Sequence, residues 1–283
     1  MEYTIHKEIL QNDLLTETLQ ALAGCYRQLS AEVFVVGAAA RDIALRLLKV
    51  TNAPRRTMDL DVAVMLQDWN QYNRLTGILL QNHFEKAQEK QRFYYLGNNS
   101  QIRFEVDIVP FGAIAKDDQV AWPPEGSPVM SVHCFEDVMR VADKVTIDGD
   151  FFFRLASLSG QFLIKLDTWS DRRTKTKKDA ADMAFLLQNI YVAYALAHDG
   201  LPPEVDTNAE QFDVIVAGAE WMASDLKKML SDEHRHFYAE KLRGELAKNE
   251  ESPLLNDLLD VSDSRNYKLY LRAFARMAQI LEL

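Results

Sequence analysis

Hydrophobic positions in the first third of the chain change between helical and strand-like spacing. Apolar residues recur every three or four positions over residues 9–29, which predicts an amphipathic helix. Residues 33–36 are β-branched and aromatic and predict a buried strand, and helical spacing resumes over residues 38–49. A strand over residues 58–65 and a helix over residues 69–82 follow. This part of the chain is therefore expected to mix helices with strands.

The middle of the chain is typical of short strands. Residues 93–96 and 102–109 are apolar runs on either side of the turn-like segment 97–100, and they predict a pair of strands. Further short strands are expected near residues 131–135 and 141–147. These segments would extend a mixed sheet.

Helical periodicity dominates from about residue 157 onward. Candidate helices lie near residues 158–170, 177–198, 208–230, 233–248 and 266–282. A boundary near residue 155 gives an α/β domain of residues 1–155 and a helical domain of residues 156–283. The predicted fold class is α+β, with a mixed sheet flanked by helices and a C-terminal helical domain.

Composition narrows the class of protein. The 283 residues are 48% hydrophobic and 26% charged, as in ordinary globular proteins. The formal net charge of −10 disfavours a uniformly basic nucleic-acid binder. Cys25 and Cys134 do not have metal-binding spacing and are interpreted as reduced thiols. Because no signal-peptide pattern and no apolar run of about 18 residues occur, we expect a cytoplasmic protein without a membrane span.

The most informative acids lie at the start of the strand predicted over residues 58–65. Residues two apart on a strand point to the same face, so Asp59 and Asp61 project together. Adjacent like charges are costly without a cation, and carboxylate oxygens are the ligands that Mg²⁺ prefers. The pair therefore predicts a divalent metal site. The alternative is the ordinary solvent-facing side of a half-exposed strand.

A third acid is available on the strand predicted over residues 102–109. Glu105 and Asp107 share one face of it. If this strand lies beside residues 58–65, one of the two acids completes a three-carboxylate cluster. We favour Asp107, which lies nearer the end of the strand, and Glu105 is the alternative.

Gly37 ends the strand of residues 33–36 and opens a helix of small residues. Such a junction lets a phosphate approach backbone N–H groups. The alternative is a simple turn.

Charged residues of the helical part also share helix faces. Lys165 and Arg172 are seven positions apart and Asp179 and Asp182 are three apart, so each pair lies on one side of a helix. Lys165 and Arg172 would reach toward a triphosphate; alternatively, the four residues form a surface salt-bridge network between two helices. The basic run 172–178 is either a patch for phosphates or a solvated loop.

In this order, the motifs resemble the DNA polymerase β-like nucleotidyltransferase superfamily. Its signature is a strand, a Gly-Gly or Gly-Ser turn, a helix, an Asp-x-Asp strand and a later Asp. The closer branch is the AbiEii/AbiGii-type nucleotidyltransferases, which include toxins of bacterial toxin–antitoxin systems. The resemblance spans about residues 30–190 and is carried by segments 37–42, 56–61, 165–173 and 178–183.

The resemblance implies Mg²⁺-dependent transfer of a nucleoside monophosphate from a nucleoside triphosphate to an acceptor hydroxyl. It implies two Mg²⁺ ions held by Asp59, Asp61 and Asp107, with Lys165 and Asp179 also serving catalysis. The residues that it assigns to nucleotide binding are Gly37, Ala38, Arg41, Thr57, Lys165 and Arg172.

The acceptor and the protein partner stay open at this point. The toxin resemblance implies an RNA end such as that of tRNA, and an antitoxin protein as partner. A protein side chain or a small molecule such as an aminoglycoside is the alternative acceptor. Ala38 stands where the superfamily carries Gly or Ser, which favours a second hypothesis of a catalytically impaired nucleotide-binding or protein-interaction module. A third hypothesis is a helical adaptor that uses residues 190–283.

Overall fold

The computed structural model describes residues 1–50, 59–97, 103–198, 200–208, 210–262 and 266–283. Within these ranges the chain forms two compact units, Met1–Ser157 and Leu158–Leu283. The functional boundary near residue 155 stays a prediction, because compactness does not show where function divides.

The first unit carries the strands and four helices of the described residues. The strands are β1 (Glu2–Ile5), β2 (Val33–Val36), β3 (Asp59–Met65), β4 (Phe84–Lys86), β5 (Arg92–Leu96), β6 (Arg103–Phe111), β7 (Gln119–Ala121), β8 (Val129–Ser131), β9 (Asp143–Ile147) and β10 (Phe151–Leu155). The helices are α1 (Asp13–Leu29), α2 (Gly37–Leu47), α3 (Trp69–Gln81) and α4 (Phe135–Arg140).

The described strands form an eight-stranded mixed sheet in the order β1-β9-β10-β2-β3-β6-β5-β4, with β7 and β8 in a separate pair. β3 is antiparallel to β2 and parallel to β6. β5 continues the sheet antiparallel to β6. The strand that begins with Asp59 therefore lies between the strand that leads into Gly37 and the strand that carries Asp107.

One face of the central strands is apolar. Leu60 and Val62 of β3, and Val106 and Ile108 of β6, are at most 1% exposed. Alternate strand residues point to one face, so these four side chains share it. Leu22 of α1 lines a small cavity together with Val62, so α1 packs on this side of the sheet.

The opposite face changes character along its length. At one end the rings of Phe34, Phe111 and Phe135 pack at centroid distances of 5.6 to 6.0 Å, under α4. Asp107 precedes Phe111 by four positions on β6 and therefore lies on the same face. The aromatic end of this face is closed, and its other end carries the acids.

The second unit consists of helices in the described residues. They are α5 (Leu158–Arg172), α6 (Lys178–Ala197), α7 (Val214–Met229), α8 (Asp232–Leu246), α9 (Pro253–Val261) and α10 (Tyr267–Glu282). α6 packs against α5, α7 and α9, and α10 packs against α7 and α8. α6 and α7 meet closely at Gly218, where an added Cβ would lie 2.9 Å from the Leu187 carbonyl oxygen.

α6 is the one helix of the described ranges whose length and composition would allow it to cross a membrane. Within the unit, 44% of its most apolar window is buried. It packs against three other helices of its unit.

The α+β fold class is confirmed, because a mixed sheet flanked by helices precedes a helical unit. β2 has the expected bounds, and β3 and β6 begin within one residue of the prediction. Elements that the hydrophobic pattern does not predict are β1, β4, β7, β10, α4 and α9.

Two local expectations differ from the structure. The helix expected from residue 9 begins at Asp13, because the Asn12 side chain accepts a hydrogen bond from the Leu15 N–H and caps it. The strand expected near residues 131–135 lies earlier, as β8 (Val129–Ser131), and α4 starts at Phe135. The acids of its first turn favour a helix start there.

Candidate active site on the central sheet

The register between β3 and β6 sets four acids side by side. Asp59 is the partner of Glu105, and Asp61 is the partner of Asp107. Neighbouring strands lie about 4.8 Å apart, so each pair forms one rung across the two strands. The two strands that sequence reasoning had to assume adjacent are adjacent and parallel.

Burial confirms that the four acids share one face. The residues between them on each strand are fully buried on the other side, as described above. Asp59 is exposed, whereas Asp61, Glu105 and Asp107 are half-buried. The acids therefore stay in contact with solvent while losing part of its screening, and repulsion between them is stronger than at an open surface.

Gly37 lies directly against the side chain of Asp61. β2 pairs with β3 so that Val36 is the partner of Asp61, and Gly37 follows at once with a φ of 72°. A Cβ built on Gly37 would lie 2.1 Å from Asp61 Oδ2. Both the left-handed backbone and this close approach require glycine. The carboxylate of Asp61 thus lies against the first residue of α2, at the positive end of the helix dipole.

Arg92 is a member of the site that sequence reasoning missed. It is the first residue of β5 and the register partner of Asp107. Its Nε donates to Asp107 Oδ1 at 2.8 Å, and its Nη2 donates to Asp107 Oδ2 at 2.9 Å. The same Nη2 lies 2.8 Å from Glu105 Oε1. One guanidinium therefore binds both acids of β6.

The charges of this group shift its proton affinities. The hydrogen bonds with Asp107 raise the pKa of Arg92 above its ordinary value. Burial raises the pKa of Glu105, and the charges of Asp107 and Asp59 act in the same direction while Arg92 opposes them. Arg92 is consequently a permanent cation of the site, and Glu105 is the acid that gives up its proton less readily than usual.

The carboxylates are neighbours without being gathered around one point. Among the described residues, three ligand atoms within 4.8 Å of one another occur at His6, Glu8 and Asp148. All three are exposed and lie away from the acids of β3 and β6. Asp59, Asp61 and Asp107 do not form such a group in the described chain, because the Asp107 oxygens are turned to Arg92.

The remaining residues assigned to nucleotide binding in this unit differ in accessibility. Ala38 is half-buried at the start of α2. Arg41 is only 9% exposed, and its Nε and Nη2 donate to Asp42 Oδ1 at 3.0 and 2.9 Å. To bind a nucleotide, Arg41 would have to leave this buried pair. Thr57, like Arg56 before it, lies outside the described residues.

The charged residues singled out in the second unit form a compact ion-pair cluster. Lys165 Nζ lies 2.8 Å from Asp182 Oδ2 and 3.3 Å from Asp179 Oδ1. Arg172 donates to both oxygens of Asp179, at 2.6 and 2.7 Å. Burial acts to raise the pKa of Asp179, but the hydrogen bond from Arg172 and the charge of Lys165 outweigh it and lower that pKa. These contacts agree with the alternative interpretation of these residues, a salt-bridge network between two helices.

The basic run 172–178 is partly neutralised by acids of its own unit. Arg172 pairs with Asp179, and Lys177 Nζ lies 3.5 Å from Asp257 Oδ1. Arg173 Nε lies 3.7 Å from Asp257 Oδ2. Three basic residues of the run therefore form ion pairs within the helical unit.

Comparisons with known proteins identify distant structural similarity. No protein-family model and no curated protein matches the chain. An antigenic nucleotidyltransferase-like protein from Paracoccidioides brasiliensis is 19% identical, with a TM-score of 0.39, over 79% of this chain and 90% of that one. A Thermotoga maritima CCA-adding enzyme, in a complex with tRNA, is 12% identical, with a TM-score of 0.31, over 97% and 82%.

Proposed function

We propose that this protein transfers a nucleoside monophosphate from a nucleoside triphosphate to an acceptor hydroxyl with the help of Mg²⁺. The observation that carries the proposal is the row formed by Gly37, which directly follows β2, with Asp61 of β3 and Asp107 of β6. It combines a helix start that accepts a phosphate with paired carboxylates that attract a divalent cation. Such a combination suits chemistry on a triphosphate.

The residues of the site fit Mg²⁺. Among the described residues, Arg92 supplies one guanidinium against four acids on this face, which leaves an excess of carboxylate oxygens. Asp59, Asp61 and Asp107 would hold the metal, with Glu105 as the alternative third acid. Bound there, Mg²⁺ supplies neutralisation of phosphate charge and polarisation of the phosphoryl oxygens.

The protein groups supply positioning and proton transfer. The N–H groups of the first turn of α2, which have no acceptor within the helix, bind a phosphate of the substrate, and Gly37 leaves room for it because it has no side chain. Asp107 accepts the proton of the acceptor hydroxyl as that oxygen bonds to the α-phosphorus. The bond from the α-phosphorus to the bridging oxygen breaks, and pyrophosphate leaves. No step of the transfer is assigned to Lys165 and Asp179, whose ion pair stabilises the helical unit.

A second candidate function is a nucleotide-binding module without transfer activity. Ala38 favours it, because this residue offers no hydroxyl to a triphosphate oxygen. The module would keep the phosphate contacts of α2 and lose only the bond-making step. Only the transferase would form a nucleotide-modified acceptor and pyrophosphate, and both can be measured.

The test is incorporation of label from α-³²P nucleoside triphosphates in the presence of MgCl₂ and total RNA. The full chain is compared with Asp61→Asn and with the matched control Glu85→Gln. Glu85 is a half-exposed carboxylate on the same sheet, paired with Arg103 at 3.1 Å. Incorporation that Asp61→Asn abolishes and Glu85→Gln retains supports the transferase. Binding of the triphosphate without incorporation supports the module.

The acceptor and the biological role belong to the same proposal. Treatment of the labelled product with ribonuclease or protease separates an RNA acceptor from a protein acceptor. The AbiEii-like toxin role predicts that expression of the chain in bacteria slows growth. Asp61→Asn should relieve that effect, and an equal growth defect in both would contradict the toxin role.

A further inference from the structure

Asp107 has neighbours of opposite charge on its two sides. The strand order β3-β6-β5 puts Asp61 on one side of Asp107 and Arg92 on the other. The first neighbour repels the Asp107 carboxylate, and the second attracts it. The carboxylate is therefore drawn away from the acid with which it would share a cation.

The contacts of Arg92 occupy the oxygens that a metal would use. Both oxygens of Asp107 accept from Arg92 in the two-pronged arrangement that guanidinium and carboxylate form best. Nη2 also reaches Glu105 Oε1, so the alternative third ligand is engaged as well. A cation that binds either acid must share these oxygens with Arg92 or displace it.

The position of Arg92 is set by the register and the side-chain alternation of its strand. It lies in register with Asp107 on β5, and its side chain is 25% exposed. Phe93, the next residue, is fully buried and points to the other face. Arg92 is consequently held on the acid face by the strand itself.

We infer that Arg92 is a positioning residue that competes with divalent cations for Asp107 and Glu105, and so sets the metal affinity of this site. The inference rests on the proposed function and deepens it. It assigns Asp107 two states, one held by Arg92 and one shared with Asp61. Removal of the guanidinium leaves the same carboxylates with more negative charge and with no competitor, so metal binding should become tighter.

The experiment is a Mn²⁺ titration of the full chain, with free Mn²⁺ followed by electron paramagnetic resonance and no nucleotide present. All proteins carry His6→Ala, which removes a ligand of the surface group formed with Glu8 and Asp148. Arg92→Met is compared with the parent protein and with the control Arg103→Met. Arg103 is a β6 arginine that is 60% exposed and pairs with Glu85.

We expect Arg92→Met to lower the Mn²⁺ dissociation constant about tenfold, since one nearby charge and its hydrogen bonds are lost. Arg103→Met should leave it within about twofold, because its pair is exposed. Arg92→Lys, which keeps the charge and loses the planar fork, should fall between the parent and Arg92→Met. This second variant gives a result even if Arg92→Met folds poorly, which circular dichroism would report.

Unchanged or weaker Mn²⁺ binding in the folded Arg92 variants would overturn the inference. If Asp61→Asn still abolishes binding in that case, the proposed function survives. If no protein shows Mn²⁺ binding that depends on Asp61, the metal site and the inference both fail. The two failures are therefore distinguishable.

Discussion

The two charge clusters of the molecule differ in their ratio of acidic to basic residues. On the central sheet, four acids of β3 and β6 meet one arginine of the described residues, and three of these acids are half-buried. In the helical unit, Lys165 and Arg172 match Asp179 and Asp182 one for one. The first group is short of positive charge, and the second is balanced.

The difference indicates what each cluster does. A balanced, hydrogen-bonded cluster can stabilise its unit without any ligand, as long as no partner is removed. An unbalanced group of acids costs folding energy and is tolerated where a cation or substrate uses it. We therefore expect substitutions in the sheet cluster to affect activity, and substitutions in the helical cluster to affect stability.

The largest expected effect is that of Asp61→Asn. Nucleotide transfer should fall on the order of 10³-fold or more, because the paired carboxylate on β3 is lost. The free energy of unfolding should stay within about 1 kcal/mol of the parent or rise, since a like charge is removed. Label incorporation and urea unfolding measure the two quantities. A stable variant with full activity would remove Asp61 from the site.

Asp179→Ala should have the opposite profile. Asp179 is 1% exposed and accepts from Arg172 and Lys165, so its loss leaves Lys165 half-buried with only part of its compensation. We expect a loss of about 3 kcal/mol in unfolding free energy. Asp182→Ala is the matched control on the same helix face, and it should cost less because Asp182 is 21% exposed. Equal losses would contradict this ranking.

Gly37→Ala should affect both properties. The added Cβ would overlap Asp61 Oδ2, and the φ of 72° is unfavourable for alanine, so we expect a loss of about 1–3 kcal/mol. Transfer activity should fall as well, because Asp61 is pushed from its position. Gly24→Ala is the matched control, since nothing lies within 4 Å of its added Cβ in helix α1. It should raise stability by about 0.5–1 kcal/mol.

The smallest effect concerns acid pH. The folded pKa of Asp179 lies below its ordinary value of 3.8, so its contribution to stability is present above that value. That contribution is lost as pH falls through the folded pKa. The stability difference between the parent and Asp179→Asn should therefore shrink below about pH 4. Urea unfolding at pH 7 and pH 3 measures it, and a constant difference would contradict the ion-pair explanation.

Sequence periodicity predicted much of the sheet because burial on one side imposes a period of two. β3 combines Asp59 and Asp61 with Leu60 and Val62, and that alternation fixes which face each residue occupies. The same rule showed that each pair of acids shares one face of its own strand. Adjacency of β3 and β6 had to be assumed, since pairing between distant segments leaves no local signal.

The role of Arg92 was beyond reach of the sequence for the same reason. It begins a strand after a polar segment, where an arginine is usually a surface residue. Only the register of β5 on β6 brings it to Asp107. The short edge strands β1 and β4 were likewise missed, because each mixes charged and apolar residues, whereas the equally short β2 is wholly apolar.

The most direct test of the metal-dependent transferase is a crystal soaked with Mn²⁺ and a non-hydrolysable nucleoside triphosphate. We expect anomalous density in contact with Asp59, Asp61 and an acid of β6, and a triphosphate that approaches Gly37 at the start of α2. Anomalous density confined to His6, Glu8 and Asp148, or a triphosphate bound away from Gly37, would contradict it.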